Sequence, residues 1–228
     1  MAELPQIIYL HGLGSSPDST KARLVGDHYR ARGYHVHIPS LALPSLERLS
    51  VREVVSHVQS LIERVSIAHD LIVVGSSFGG FAATHAYAAA SKNGKNAVRG
   101  LVLMAPVFYP WHSTQGLLTP QVEREWSERG SYPITESASG RSVLVHYEFV
   151  KELRLYDSNM VRLSVPTLIV HGTTDTTVSH QQSVEFAARQ PHVELVLVED
   201  DHQLLADPAG LIRRIDGFIQ RSSTAKCP

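Results

Sequence analysis

Leu71-Ile72-Val73-Val74-Gly75-Ser76-Ser77-Phe78-Gly79-Gly80, followed by the small-residue run Phe81 to Ala90, is the stretch whose reading decides the fold. Its first four residues are apolar and read as a buried strand, and the closing run reads as a helix. Between them lies Gly75-x-Ser77-x-Gly79. A chain that passes from strand to helix in so few residues must turn very tightly, so the flanking positions want glycine. Such a turn lifts the Ser77 hydroxyl above the sheet and sets it at a helix N-terminus, where the dipole and free N–H groups favour developing negative charge. Ser77 is the candidate nucleophile; Ser76 lies off the centre of the pattern. The plain alternative is an inert serine in a glycine-rich turn.

Strand-like runs recur on both sides of this turn: Ile7–Leu10, Tyr34–Ile38, Leu71–Gly75, Leu101–Ala105, Thr167–His171 and Val193–Val198. Helical patterns separate them. Ser50 and Glu53 make a capping-box pattern before the apolar stripe Val51, Val54, Val55, Val58, Leu61, Ile62 and Val65. The segment 17–32 ends at Gly33, and Asp207-Pro208 opens a last helix with Leu211, Ile212, Ile215, Phe218 and Ile219 on its buried face. Alternation of this kind predicts an α/β fold: one domain over 1–228, with about six mainly parallel strands and helices on both faces.

One connection is too long for an ordinary crossover. About sixty residues separate the fourth run from the fifth. The expectation is a small helical cap over 107–163. One helix runs from Thr119 and Pro120 to Gly130, and a second helical stretch lies near Ser142–Leu153. The segment is aromatic, and Phe108, Tyr109, Trp111 and Trp126 are the candidate substrate-binding residues of an acyl pocket. The alternative is a second mini-domain or a partner-binding face.

A serine hydroxyl needs a base, and the base needs an orienting acid. His202 falls in the loop after the last strand, and Asp175 in the loop after the strand that ends at His171. Asp157 precedes that strand and starts at the wrong end, while Asp200 and Asp201 are too near His202 in sequence to orient it easily. The loop of small residues after the first strand, His11-Gly12-Leu13-Gly14-Ser15-Ser16, lets the backbone approach a ligand. The Leu13 and Phe78 N–H groups are the expected oxyanion donors. His11 reads as a brace for this loop.

Composition removes other classes. Lys plus Arg is 21 against 22 for Asp plus Glu, a net charge of −1, which argues against general nucleic-acid binding. The single cysteine, Cys227, cannot form an internal disulfide. No dinucleotide or phosphate-loop fingerprint is present. His35-x-His37 lacks an evident third ligand, so neither metal nor cofactor is expected. With no targeting signal at the N-terminus and no apolar stretch long enough to insert in a bilayer, a cytoplasmic protein is the default expectation. The only partner expected is a small-molecule acyl ester; the sequence leaves oligomeric state open.

His11-Gly12 after a first strand, Gly75-x-Ser77-x-Gly79, the His171-Gly172-x-x-Asp175 context and the late Asp201-His202 together resemble the α/β-hydrolase superfamily over nearly the whole chain. The resemblance implies a triad of Ser77, Asp175 and His202 with oxyanion donors at Leu13 and Phe78. It also implies a minimal core, because the chain starts at what the superfamily counts as its third strand. The opening Leu10-His11-Gly12-Leu13-Gly14-Ser15-Ser16-Pro17 resembles the small bacterial esterases of short and medium acyl esters. Trp126, Gly130 and Phe149-Val150-Lys151-Glu152 carry a weaker likeness to the acyl-glucuronide esterase and palmitoyl-thioesterase group. A serine esterase is the leading expectation. A thioesterase or depalmitoylase is the near alternative, and a non-catalytic ligand-binding homologue the distant one.

Overall fold

The computed structural model describes residues 4–92, 97–110, 118–137 and 139–224. Six strands form one parallel sheet: β1 Gln6–Leu10, β2 Val36–His37, β3 Leu71–Ser76, β4 Val98–Met104, then β7 Thr167–Gly172 and β8 Val193–Val198. Their order across the sheet is β2-β1-β3-β4-β7-β8. All six expected strands are present, although β2 keeps only two residues of its run.

The unbroken apolar runs follow from burial on both faces. Ile8, Leu10, Val73, Leu101, Leu103 and Ile169 face a core formed with helices α2 (Val51–Val65) and α3 (Phe78–Lys92). Ile7, Tyr9, Ile72, Val74, Val102 and Val170 face the opposite core, formed with α1 (Thr20–Arg30) and α7 (Pro208–Thr224). The helix ends obey local chemistry. Ser50 accepts from the Glu53 N–H, Gly33 holds φ +85, and the Asp207 carboxylate accepts from the Gly210 N–H.

The segment between β4 and β7 departs from expectation. Its first helix, α4 (Pro120–Arg129), is capped by Thr119 and stopped by Gly130 at φ +72, as the sequence indicates. The second expected helix, 142–153, is helical only in its second half. β5 (Ser131–Thr135) and β6 (Ser142–His146) pair as an antiparallel hairpin, and only Glu148–Leu153 is helical, as α5. Alternating side chains and β-branched Val143 and Val145 favour the strand, and Gly140 supplies a left-handed turn residue at φ +68. The insertion is therefore mixed rather than helical. Glu152 anchors it to the sheet domain: its carboxylate accepts from the Ser50 hydroxyl and the Arg52 N–H at the start of α2.

Trp126 is the centre of this segment. It is fully buried, its indole N–H donates to the Val145 carbonyl at 2.8 Å, and it packs on Tyr132 and Phe149. Another anchor joins the opposite face to the loop after β8. Lys21 of α1 is 9% exposed, and its ammonium donates to the backbone carbonyl of His202 at 3.2 Å. Among the described residues no helix is long and apolar enough to cross a membrane.

Two stability measurements follow. Trp126→Ala should cost about 3–5 kcal/mol in urea unfolding, the usual cost of emptying a buried tryptophan site; a loss below about 1 kcal/mol would contradict its place as the packing centre. Burial pulls Lys21 from the usual 10.5 down to about 8, against the opposing pull of Asp175, Asp201 and Asp200. The unfolded chain therefore binds this proton more tightly, and the Lys21 contribution to stability rises as pH climbs from 8 towards 10.5. The stability of the wild type relative to Lys21→Met should grow over that window. A pH-independent difference would rule out the buried ammonium.

Candidate active site

The sheet order places the site. From β1 the chain moves outward to β2, then returns across β1 to β3 and continues the other way. Loops leaving β1 and β3 therefore part at their C-terminal ends and open a crevice, the usual ligand position in open α/β sheets. Leu10 and Gly75 are directly paired, so the loop carrying Leu13 and the turn carrying Ser77 start side by side.

Ser77 holds φ +56, a left-handed conformation that a side chain adopts only under constraint. Its N–H donates to the Met104 carbonyl at 2.9 Å, which pins the turn against β4. The glycines are sterically required. A Cβ on Gly79 would stand 2.1 Å from the Leu10 carbonyl oxygen, and one on Gly75 would stand 2.5 Å from the Gly79 oxygen.

The structure brings the three residues of the expected triad together. The Ser77 hydroxyl lies 3.0 Å from His202 Nε2, and His202 Nδ1 lies 2.7 Å from Asp175 Oδ2. An ionised carboxylate only accepts, so Nδ1 carries the proton and Nε2 is free to accept from Ser77. Asp175 is 4% exposed. Burial alone would push its carboxyl up. Hydrogen bonds from His171, His202 and the Val178 N–H outweigh burial and hold it well below the usual carboxylate range. Its Oδ1 also accepts from the Thr177 N–H at 2.8 Å. Asp200 and Asp201 are spent locally, on the N–H groups of Ala206, Asp201 and Gln203.

Leu13 and Phe78 both line the cavity in front of Ser77, and among the described residues neither backbone N–H donates to another protein group. His11 braces the Leu13 loop. Its Nδ1 donates to the Gly12 carbonyl at 2.9 Å, and its Nε2 accepts from the Leu41 N–H at 3.1 Å. Burial lowers its pKa, which keeps the ring neutral in that bridge. The hairpin braces the same loop from outside, through the Ser137 N–H donating to the Gly14 carbonyl at 2.7 Å.

A cavity of about 590 Å³ opens beside Ser77 and His202. Its apolar wall is Val107, Pro110, Leu118, Ile134, Phe149 and Leu153. The aromatic residues expected to touch substrate stand behind this wall. Phe108 stacks on Phe186 with ring centroids 3.9 Å apart, Tyr109 is buried, and Trp126 is sealed in the insertion. Large rings that pack this well are used up by the core. Trp111 lies outside the described residues. A functional residue missed in the sequence is Gln182, at the start of α6 (Gln181–Ala187). Its side-chain oxygen accepts from the Phe108 and Tyr109 N–H groups at 3.0 and 2.9 Å and fixes the segment bearing Val107 and Pro110. No local pattern marks it, because its partners are some seventy positions away.

Among the described residues no cluster of three or more histidine, cysteine or acidic side chains could hold a metal. No curated protein matches the chain by sequence. Solved structures share its fold. A hydrolase candidate from Agrobacterium vitis S4 superposes with a TM-score of 0.77 at 22% identity, over 95% of this chain and 88% of that one. Mouse alpha/beta hydrolase domain-containing protein 10 gives 0.75 at 24%, over 97% and 92%. Est1E from Butyrivibrio proteoclasticus, solved with ferulic acid bound, gives 0.75 at 16%, over 98% and 91%. The profile of one family, described as Uncharacterised protein family (UPF0227), matches residues 6–218. With its fold that of the α/β hydrolases, the chain belongs to the UPF0227 family.

Proposed function

We propose that the chain is a serine hydrolase of carboxylic esters with short to medium acyl groups, working through an acyl-enzyme. The observation that carries this reading is the unbroken hydrogen-bond line from Ser77 through His202 to Asp175, at 3.0 and 2.7 Å. A pure binding protein has no use for a serine paired with an oriented imidazole.

Ser77 Oγ attacks the acyl carbon as its proton passes to His202 Nε2. Asp175 holds the Nδ1 proton and stabilises the imidazolium. The carbonyl oxygen gains negative charge towards the Leu13 and Phe78 N–H groups, which need no rearrangement to receive it. Nε2 then returns its proton to the departing alcohol. Water repeats the sequence and frees the acid. No cofactor or metal enters any step.

The acyl chain lies along the apolar wall between Val107 and Leu153. Each buried methylene is worth about 0.8 kcal/mol, so affinity rises roughly fourfold per carbon until the cavity ends. The insertion caps the site and sets that limit through Ile134, Phe149 and Leu153. Est1E binds ferulic acid and a neighbour from Paleococcus ferrophilus is a monoacylglycerol lipase, so proteins of the same fold handle carboxylic acyl groups. The proposed setting is cytoplasmic, with a small acyl ester as the partner.

Aryl esters of graded acyl length test the assignment. Ser77→Ala should lose on the order of 10⁴-fold or more in kcat while remaining folded, and Asp175→Asn about 10⁴-fold, because it inverts the imidazole tautomer. Normal turnover by folded Ser77→Ala would refute the nucleophile. Leu153→Ala lengthens the cavity and should move the preferred acyl chain longer by about two carbons. An unaltered chain-length profile would mean that this wall does not bind the acyl group.

A further inference from the structure

Asp175 makes more contacts than a triad requires. His171, on β7 four residues earlier, is completely buried. Its Nε2 lies 3.1 Å from Asp175 Oδ2 and 3.1 Å from the Val178 carbonyl oxygen. Both partners only accept, so Nε2 must carry a proton. Its Nδ1 lies 2.7 Å from the Ser183 hydroxyl, which donates to it when the ring is neutral. Ser183 is itself fully buried, on α6. The line Ser77–His202–Asp175 therefore continues inward through His171 to Ser183.

The position of the extra imidazole matters more than its presence. It donates to Oδ2, the same oxygen that accepts from His202, while Oδ1 is held by the Thr177 and Val178 N–H groups at 2.8 Å. With two donors on each oxygen the carboxylate cannot rotate away from His202. A second N–H on Oδ2 also draws off part of its charge. Asp175 then stays a carboxylate beside the imidazolium that forms during attack, instead of taking the Nδ1 proton. The Val178 carbonyl alone would satisfy this N–H, yet the ring is placed so that Asp175 Oδ2 shares it at the same distance.

We propose that His171 is a positioning residue of the triad, acting through Asp175, with Ser183 fixing its tautomer; the proposal rests on the serine-hydrolase reading. His171 never meets substrate. It sets the orientation and charge of the group that orients the base. Its loss should lower kcat and leave KM in place, because the cavity wall contains neither His171 nor Ser183.

The test compares wild type with His171→Phe, His171→Gln and Ser183→Ala. Three quantities are read: the rate of fluorophosphonate labelling at Ser77, kcat and KM for an aryl ester, and the low-field proton resonance of the His202–Asp175 hydrogen bond. His171→Phe should slow labelling and kcat about tenfold, comparable to losing the partner that orients a metal-bound imidazole. It should also move the resonance downfield, since Oδ2 regains the charge it had shared. Glutamine can place an amide N–H near the Nε2 position, so His171→Gln should restore most of both. Ser183→Ala should fall between wild type and His171→Phe. A folded His171→Phe protein with wild-type labelling and resonance would overturn the proposal, as would His171→Gln behaving no better than His171→Phe. If His171→Phe does not fold, Ser183→Ala decides: a displaced resonance supports the proposal and wild-type values overturn it. A wild-type chain that is not labelled at Ser77 removes the hydrolase reading and this proposal together. Labelled wild type with unaffected variants removes this proposal alone.

Discussion

The backbone of Gly79 lies so close to the Leu10 carbonyl that even a methyl group would stand 2.1 Å from it. That contact locks the first turn of α3 against the end of β1. The chain can then leave β3 and enter α3 through one residue at positive φ, Ser77. Much of the site inherits its position from this contact. The β1 loop is brought beside the serine, so Leu13 and Phe78 face one cavity. The Met104 carbonyl receives the Ser77 N–H, and β4 is held at a fixed distance from the turn.

Around this turn the molecule assembles one charged group in a nearly dry place and surrounds it with donors. Asp175 is buried, yet its carboxyl stays in the ionised range because four N–H groups point at it. Burial without such partners would neutralise it. The ionised form determines the His202 tautomer, and the tautomer determines whether Ser77 meets a lone pair or a proton. Lys21 supports the same loop from beneath, through the His202 carbonyl. The insertion supports the opposite rim, through Ser137 on Gly14 and Glu152 on the start of α2.

What was legible in the sequence depended on the range of the interaction. The six strands were visible because burial on both faces leaves unbroken apolar runs. Ser77, Asp175 and His202 were visible because each stands just past a readable strand or within a glycine pattern. Thr119 and Gly130 marked α4 through local capping chemistry. The hairpin is hidden in the sequence because weak strand signals over 131–146 run straight into a helical stretch that begins only at Glu148. Aromatic composition cannot say which side of a wall a ring occupies, so Phe108, Tyr109 and Trp126 read from sequence as pocket residues although none of them lines the cavity. Gln182, Glu152 and Ser183 act on partners distant in sequence and leave no local signature. Lys21 left a faint one. It sits one turn before Val25 and two before Tyr29, on a stripe otherwise apolar.

The central claim is that Ser77 attacks a carbonyl whose oxygen is received by two waiting N–H groups. A crystal structure of the chain after reaction with a fluorophosphonate tests this most directly. The account predicts phosphorus bonded to Ser77 Oγ, with one phosphoryl oxygen about 2.7–3.1 Å from both the Leu13 and Phe78 nitrogens. An adduct on another residue, or a phosphoryl oxygen bonded to neither nitrogen, would contradict it.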